Sequence, residues 1–201
     1  MISDPIIGLD IDGVLADLVT GILDSCVKKG MISSDVKFED ITEWEMCDLL
    51  GITSDQLKAS LCGDTYRTVG EHFEVVEDVK RWIEMGVPVI YVTARSEDWA
   101  PGIKDMTMQW LDEKGLLQGT LGVKYSSAMK KHKVVKKLGI NIFVDDHPQT
   151  IGLMKGQVRS YLLARPWNQK ASPRYEWSDI RRMIDGEINL RRGASSGHSC
   201  E

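Results

Sequence analysis

The sequence is poor in the features that mark secreted and membrane-spanning proteins. Its 201 residues include only four cysteines, which are scattered along the chain without a C-x-x-C pair. Such spacing favours reduced thiols over a disulfide framework. No apolar run approaches the length of a transmembrane helix, and the first residues do not resemble a signal peptide. We therefore expect a cytoplasmic protein without a membrane segment.

Positive charge is also scarce. The chain has 25 lysines and arginines against 30 aspartates and glutamates, for a formal net charge of -5 at pH 7. This balance leaves no general basic surface for long nucleic acid, although a metal ion and a few local groups can still meet the charge of a small phosphorylated metabolite. Hydrophobic residues make up 42% of the chain, as in an ordinary soluble domain with a sizeable core.

The most informative stretch is residues 6–17, a short apolar run that ends in Asp10-Ile11-Asp12-Gly13. Such a run is typical of a strand buried on both faces. Because side chains alternate along a strand, Asp10 and Asp12 are predicted to project to the same side. Two carboxylates this close repel each other, which raises one pKa unless a cation lies between them. An Asp-rich turn that caps the next helix would explain one aspartate, but not both together with Gly13.

Strands and helices alternate through much of the chain. The further predicted strands are residues 87–92, 121–123, 140–144 and 158–163. This alternation predicts an α/β fold with a Rossmann-like parallel sheet of about five strands and helices on both faces. Three of the strands end in polar residues suited to phosphate chemistry, and parallel strands bring those ends to one edge of the sheet. That coincidence is the main indication of an enzyme.

The segment after the first strand has a different texture. Residues 18–70 contain helical patterns and no strand pattern, so we interpret them as a small helical cap inserted over the carboxylates of strand 1. Residues 1–17 and 71–192 then form the α/β core. Residues 193–201 are small and polar and are predicted to form a disordered tail.

Four of these features, in order, resemble the motifs of the haloacid dehalogenase superfamily. They are Asp10-x-Asp12-Gly13-Val14, Thr93 after the second strand, a lysine ahead of the fourth strand, and Asp145-Asp146 after it. The helical insertion and Arg165-Pro166-Trp167-Asn168 after the fifth strand are similar to the 5'(3')-deoxyribonucleotidase branch. The chain differs from that branch at Thr93-Ala94-Arg95, where the branch carries Thr-Ser-Pro.

The resemblance implies a Mg²⁺-dependent phosphomonoesterase. Asp10 would be the nucleophile that forms an aspartyl-phosphate, and Asp12 would be the general acid and then the general base. Mg²⁺ would be held by Asp10, the main-chain carbonyl of Asp12 and the Asp145-Asp146 pair. Asp146 is the favoured direct ligand of that pair.

The resemblance also implies the groups that bind the transferring phosphoryl oxygens. They would be Thr93, the main-chain N–H groups of Ala94 and Arg95, and Lys133. We choose Lys133 from a cluster of lysines because it opens the helix that leads to strand four, and Lys130 is the second choice. The other interpretation of the cluster is a solvated helix face.

Aromatic residues suggest the substrate. Trp44 and Phe73 offer flat surfaces on which a base could stack, and Trp167 with Asn168 could close the site from the core side, although a small cap also needs aromatic residues for its own core. The first expectation is a nucleoside 5'-monophosphate, with deoxyribose preference implied only by the resemblance. The alternatives are another small phosphate ester, a nucleic-acid 3'-phosphate, or an inactive phosphate-binding module.

Overall fold

The structure is a computed structural model that describes residues 4–61 and 65–196. Its strands are β1 (Ile7–Leu9), β2 (Val89–Thr93), β3 (Val123–Tyr125), β4 (Ile142–Asp145) and β5 (Arg159–Leu162). They form one sheet in the order β3-β2-β1-β4-β5, and every neighbouring pair is parallel. The predicted α/β fold with a five-stranded parallel sheet is confirmed.

The first strand is the centre of this sheet. Ile7 pairs in register with Val89 of β2 on one side and with Ile142 of β4 on the other. Gly8 permits the close packing here, since a Cβ at that position would lie 2.7 Å from the ring of Phe143. The chain adds β2 and β3 on one side before it crosses to β4 and β5 on the other. In open parallel sheets, such a switch point opens a crevice beyond the carboxyl ends of the strands.

Helices cover both faces of the sheet. They are α5 (Phe73–Glu84), α6 (Ile103–Glu113), α7 (Lys131–Lys137), α8 (Pro148–Met154) and α9 (Trp177–Ser196). Successive side chains of a strand point to opposite faces of the sheet. Val144 packs in the core cluster that includes α5 and α9, whereas Phe143 packs in the cluster that includes α7 and α8. The helix α9 includes residues 193–196, so that part of the predicted disordered tail is helical, and residues 197–201 lie outside the described chain.

The segment between β1 and α5 is helical in its described part. Residues 18–61 and 65–70 contain helices and no strand. Its elements are α1 (Leu18–Lys28), a 3₁₀ turn (Phe38–Asp40), α2 (Met46–Leu50), α3 (Ser54–Leu61) and α4 (Thr65–Thr68). Ile22, Cys26 and Tyr66 share a buried cluster with Ile103 of α6, so this segment packs partly on the core. Its division from the core at residues 17 and 71 stays a prediction.

The described residues bear on two expectations from composition, which are reduced cysteines and the lack of a membrane segment. Among the described residues, Cys26 and Cys47 are free thiols, while Cys62 and Cys200 lie outside them. No helix within residues 4–61 or 65–196 combines the length and apolar character needed to cross a membrane.

Candidate active site

Asp10 follows β1 directly and lies at the carboxyl edge of the sheet. It is buried, and its Oδ1 accepts a hydrogen bond from the Ile11 N–H at 2.7 Å. Gly13 then takes a positive φ of 74°, and a Cβ there would lie 2.2 Å from Oδ2 of Asp146. Glycine is therefore needed at this position both for the turn and for the close approach of the two loops.

Two more carboxylates meet Asp10 at this edge. Asp145 is the last residue of β4 and Asp146 follows it, and both are buried. Since β1 and β4 are neighbours in the sheet, their carboxyl ends are adjacent. One carboxylate oxygen from each of Asp10, Asp145 and Asp146 lies within 4.8 Å of the others. The side chains of the two predicted motifs therefore converge as one acidic cluster.

A buried lysine lies within the acidic cluster. The Nζ of Lys131 donates to Oδ2 of Asp10 at 2.5 Å and to Oδ2 of Asp145 at 2.8 Å, and Lys131 is only 1% exposed. The other oxygen of Asp145 accepts from the His147 N–H at 2.8 Å. Both oxygens of Asp145 are thus engaged within the protein.

This lysine is not the one expected from the sequence. Lys131 and Val135 are the buried residues of α7 and share one face, because positions i and i+4 are neighbours on a helix. Lys133 is two residues further on, about 200° around the helix, and its side chain is exposed. Lys130 is exposed as well, in the 3₁₀ turn before the helix. The expectation for Lys133 is therefore corrected to Lys131, and the apolar stripe of the helix was the signal that could have found it.

Burial and mutual repulsion perturb the ionisation of the acidic cluster. Burial raises the pKa of Asp10 to about 7; Asp145 and Asp12 add to the rise, and Lys131 opposes it. Burial, together with Asp145 and Asp10, holds the pKa of Asp146 well above its usual range. Burial would lower the pKa of Lys131, but the charges of Asp10 and Asp145 outweigh it and raise that pKa. The three carboxylates outnumber the Lys131 ammonium, and the Arg165 guanidinium adds a second positive charge near Asp146.

The acidic cluster has the composition of a divalent-metal site. Oδ2 of Asp146 accepts from the Trp167 indole, whereas Oδ1 is buried and has no hydrogen-bond partner in the described structure. A hard dication would satisfy that oxygen and favour the ionised form of the carboxylates. Asp12 contributes no side-chain oxygen to the cluster, so only its main-chain carbonyl remains a predicted ligand.

The side chain of Asp12 is held by Arg95. The Arg95 Nε donates to Oδ1 and Oδ2 of Asp12 at 3.1 and 2.9 Å, and its Nη2 donates to Oδ1 at 2.6 Å. Arg95 is 4% exposed, and its guanidinium donates to Thr107 Oγ1 at 3.1 Å and has its central carbon 4.9 Å from the Tyr66 ring centroid. Sequence reasoning assigned only the main chain of Arg95 to the site and missed this contact.

The predicted phosphate-binding groups at the end of β2 are already engaged with one another. Thr93 is buried, and its hydroxyl accepts a hydrogen bond from the Arg95 N–H at 3.2 Å. Ala94 lines the cleft beside Asp10 and Asp12. Binding of phosphoryl oxygens by Thr93, Ala94 and the Arg95 N–H stays a prediction, and it requires the Arg95 N–H to change its partner.

A cleft of about 400 Å³ opens above Asp10 and Asp12. Beyond those two residues it is lined by Leu18, Trp44, Glu45, Met46, Cys47, Leu57, Leu61, Tyr66, Ala94, Arg95, Trp99, Ala128, Lys131 and His147. Trp44 is 47% exposed, and its ring centroid lies 4.4 Å from that of His147. Trp99, which sequence reasoning did not name as a site residue, also lines this cleft. The walls are therefore largely apolar and aromatic, with Glu45 as a charged exception, while the floor is charged.

Three predicted substrate residues lie elsewhere. Phe73 is 67% exposed on the outer face of α5, because it falls about 200° around the helix from the buried Val75. Asn168 is buried, and its amide is used by main-chain groups. Trp167 is buried against Asp146 and borders a small cavity of about 120 Å³ beside the cleft. The position of Phe73 contradicts its expected place in the cleft, whereas Trp167 and Asn168 lie behind Asp146 on the core side, and their closing of the site stays a prediction.

Comparisons place the fold among known structures. The sequence matches no protein-family model and no curated protein. A haloacid dehalogenase-like hydrolase from Streptococcus pneumoniae has a TM-score of 0.53 at 16% identity, covering 85% of this chain and 90% of its own. A haloacid dehalogenase-superfamily hydrolase from Ehrlichia chaffeensis has a TM-score of 0.52 at 11% identity, and the match covers 94% of this chain and 100% of that one. Protein tyrosine kinase A of Mycobacterium tuberculosis has a TM-score of 0.62 at 14% identity, and the match covers 90% of this chain and 98% of that one. The chain thus shares the fold of haloacid dehalogenase-like hydrolases.

Proposed function

We propose that this protein is a Mg²⁺-dependent phosphomonoesterase that works through an aspartyl-phosphate on Asp10. The observation that carries the proposal is the acidic cluster, with Lys131 inside it, at the floor of an open cleft and at the switch point of the sheet. The fold shared with haloacid dehalogenase-like hydrolases supports the same reaction class.

In the first step, a carboxylate oxygen of Asp10 attacks the phosphorus of the ester. A bond forms between Asp10 and phosphorus while the bond to the leaving oxygen breaks. The leaving oxygen takes a proton from Asp12 and departs as an alcohol. Lys131 holds Asp10 in place through the 2.5 Å contact, and its charge lies where negative charge develops on the phosphoryl group.

In the second step, water attacks phosphorus and the bond to Asp10 breaks, which releases phosphate and regenerates the Asp10 carboxylate. Asp12 takes the proton from the attacking water. The Asp12 carboxylate paired with Arg95 is already in the form that this step needs. The first step requires Asp12 to carry a proton, and therefore a looser contact with Arg95.

Mg²⁺ is the metal that this set of ligands favours. Asp10, Asp146 and the main-chain carbonyl of Asp12 would hold it, with Asp145 fixed behind them by Lys131. When bound, the ion supplies charge neutralisation for the phosphoryl group. The unpartnered Oδ1 of Asp146 supports Asp146 over Asp145, whose two oxygens are engaged, as the direct ligand.

The cleft favours a nucleoside 5'-monophosphate as the substrate. Its volume of about 400 Å³ lies within the range of small-molecule sites. Exposed Trp44 and Trp99 line it and offer faces for a base, and apolar residues of the cap complete the wall. Preference for deoxyribose rests only on the resemblance of the sequence motifs.

One observation favours a longer ester as the second candidate. Past Arg95 and Trp99 the cleft continues into a second cavity of about 630 Å³, whose lining includes Ser96, Lys104 and Tyr125. A nucleic-acid 3'-phosphate could place its preceding nucleotide there.

A substrate panel tests the proposal. Nucleoside 5'-monophosphates, sugar phosphates, p-nitrophenyl phosphate and a 3'-phosphorylated dinucleotide are assayed with Mg²⁺ and with excess chelator. We expect turnover that requires Mg²⁺, is abolished by Asp10→Asn, and is greatest in kcat/KM for mononucleotides. Full activity in chelator, or an active Asp10→Asn variant, would refute the mechanism. No turnover of any ester would favour an inactive binding module.

Two variants test the stacking. Trp44→Ala should raise KM for mononucleotides about 5- to 150-fold, as expected for the loss of roughly 1–3 kcal/mol of stacking. Phe73→Ala is the matched control, since it removes an exposed aromatic side chain outside the cleft. If kcat/KM were higher for sugar phosphates than for every mononucleotide, the protein would still be a phosphatase, but the assignment of a nucleotide substrate would be refuted.

A further inference from the structure

The 3₁₀ turn after β5 contacts the acidic cluster from behind. Pro166–Asn168 forms this turn, and we call Arg165–Asn168 the closing turn. The indole Nε1 of Trp167 donates to Oδ2 of Asp146 at 2.9 Å, and both side chains are buried. Of the two oxygens of Asp146, the closing turn thus occupies one and leaves Oδ1 for another partner.

Asn168 fixes the main chain of the same aspartate. Its Nδ2 donates to the carbonyls of Asp146 and Leu163 at 2.9 and 2.8 Å, and its Oδ1 accepts from the Arg165 N–H at 3.0 Å. Asn168 is only 2% exposed. The amide therefore ties the loop after β4 to the end of β5.

Arg165 extends the contact to the loop after β1. Its Nε donates to the carbonyl of Gly13 at 2.6 Å. Gly13 lies directly against the Asp146 carboxylate, as the 2.2 Å approach of a Cβ at Gly13 shows. The closing turn consequently holds the two loops that carry Asp10 and Asp146 against each other.

We propose that the closing turn is a positioning element for the metal site and that Trp167 sets the orientation of Asp146 as a ligand. The inference rests on the divalent-metal site of the proposed function. With Oδ2 bonded to the indole, the carboxylate is fixed with Oδ1 available to the cation. Groups that orient ligands in this way typically contribute 10- to 100-fold to metal affinity.

The experiment compares two tryptophans that make the same kind of contact. Trp167→Phe keeps most of the ring but removes the N–H that bonds Asp146. Trp177→Phe is the matched control, because the Nε1 of Trp177 donates to Oδ2 of buried Asp78 at 2.8 Å, away from the acidic cluster. Binding of Mg²⁺ is measured by calorimetry, and binding of Mn²⁺ by electron paramagnetic resonance, on the full chain, together with thermal unfolding.

We expect Trp167→Phe to bind both ions 10- to 100-fold more weakly, while Trp177→Phe keeps wild-type affinity even if its melting temperature falls. Wild-type affinity in Trp167→Phe, or an equal loss in both variants, would overturn the positioning role. If Trp167→Phe does not fold, Asn168→Ala replaces it, with the same weakening expected and wild-type affinity again refuting the role. A wild-type protein that binds neither ion would instead refute the metal site itself.

Discussion

Replacement of Lys131 by methionine is the sharpest test of how the site is built. Methionine keeps much of the aliphatic stem and removes the ammonium that contacts Asp10 at 2.5 Å and Asp145 at 2.8 Å. Because Lys131 is 1% exposed, water cannot replace it at those carboxylates without a rearrangement. Removing one partner of a buried ion pair costs about 3–5 kcal/mol.

That magnitude is large beside the net stability of a typical domain, about 5–15 kcal/mol. For a chain of this size, each kcal/mol lowers the melting temperature by about 2–4 °C, so the variant should melt about 6–20 °C lower. The assay is urea and thermal unfolding in chelator at pH 8. The loss should shrink at pH 5, because protonation of the carboxyls left without Lys131 removes the unpaired buried charge.

Lys133→Met provides the matched control. It makes the same chemical change two residues away, on the exposed face of α7, and should alter stability by no more than about 0.5 kcal/mol. Lys131→Met should also lose phosphatase turnover, while Lys133→Met should keep it. A silent Lys131→Met, or an equal loss in both variants, would refute the reasoning about helix register and buried charge.

Two further predictions concern Asp10 and Arg95. Burial raises the pKa of folded Asp10 from 3.8 to about 7, so the folded state favours the protonated carboxyl. As pH rises from 4 to 7, the free energy of unfolding of the metal-free wild type should therefore fall by up to about 4 kcal/mol relative to that of Asp10→Asn. Urea unfolding measures this difference, and a difference that does not change with pH would contradict the prediction. Arg95→Lys keeps the positive charge but loses the bidentate contact with Asp12, so kcat should fall about 10- to 100-fold with little change in KM. Arg159→Lys, at an exposed arginine, is the control. An unchanged kcat in Arg95→Lys would exclude the positioning role of Arg95.

The strands could be predicted because each is a short apolar run, but β2, β3, β4 and β5 begin one or two residues later than predicted. Val87 and Ile140 were assigned to strands, yet their N–H groups bond back to Trp82 and Val135 of the preceding helices at 2.9 and 3.1 Å. Each follows a glycine with positive φ, as in a helix C-terminal motif that also favours an apolar residue at this position. The sheet therefore starts at Val89 and Ile142.

The convergence of Asp10, Asp145 and Asp146 was predictable, because neighbouring parallel strands end at one edge whatever their side chains do. Lys131 and Arg95 were harder, since the direction of a long side chain depends on which face of its element is buried. The contact between Trp167 and Asp146 could not be predicted from the chain, because the two residues are 21 positions apart and a tryptophan after a strand fits a substrate wall equally well.

The four aspartates of the site are chemically alike in the sequence, and their partners in the structure separate them. Those partners are Lys131 for Asp10, Arg95 for Asp12, Lys131 with the His147 N–H for Asp145, and Trp167 for Asp146. Only Asp146 keeps an oxygen that is buried and unpartnered within the described chain. The indole is neutral, so the charges that favour ionised Asp146 are those of Lys131 and Arg165 nearby, whereas Lys131 and Arg95 hydrogen-bond directly to the other three aspartates. Metal affinity should therefore depend most on Asp146 and on the closing turn that orients it, while proton transfer should depend on how firmly Arg95 holds Asp12.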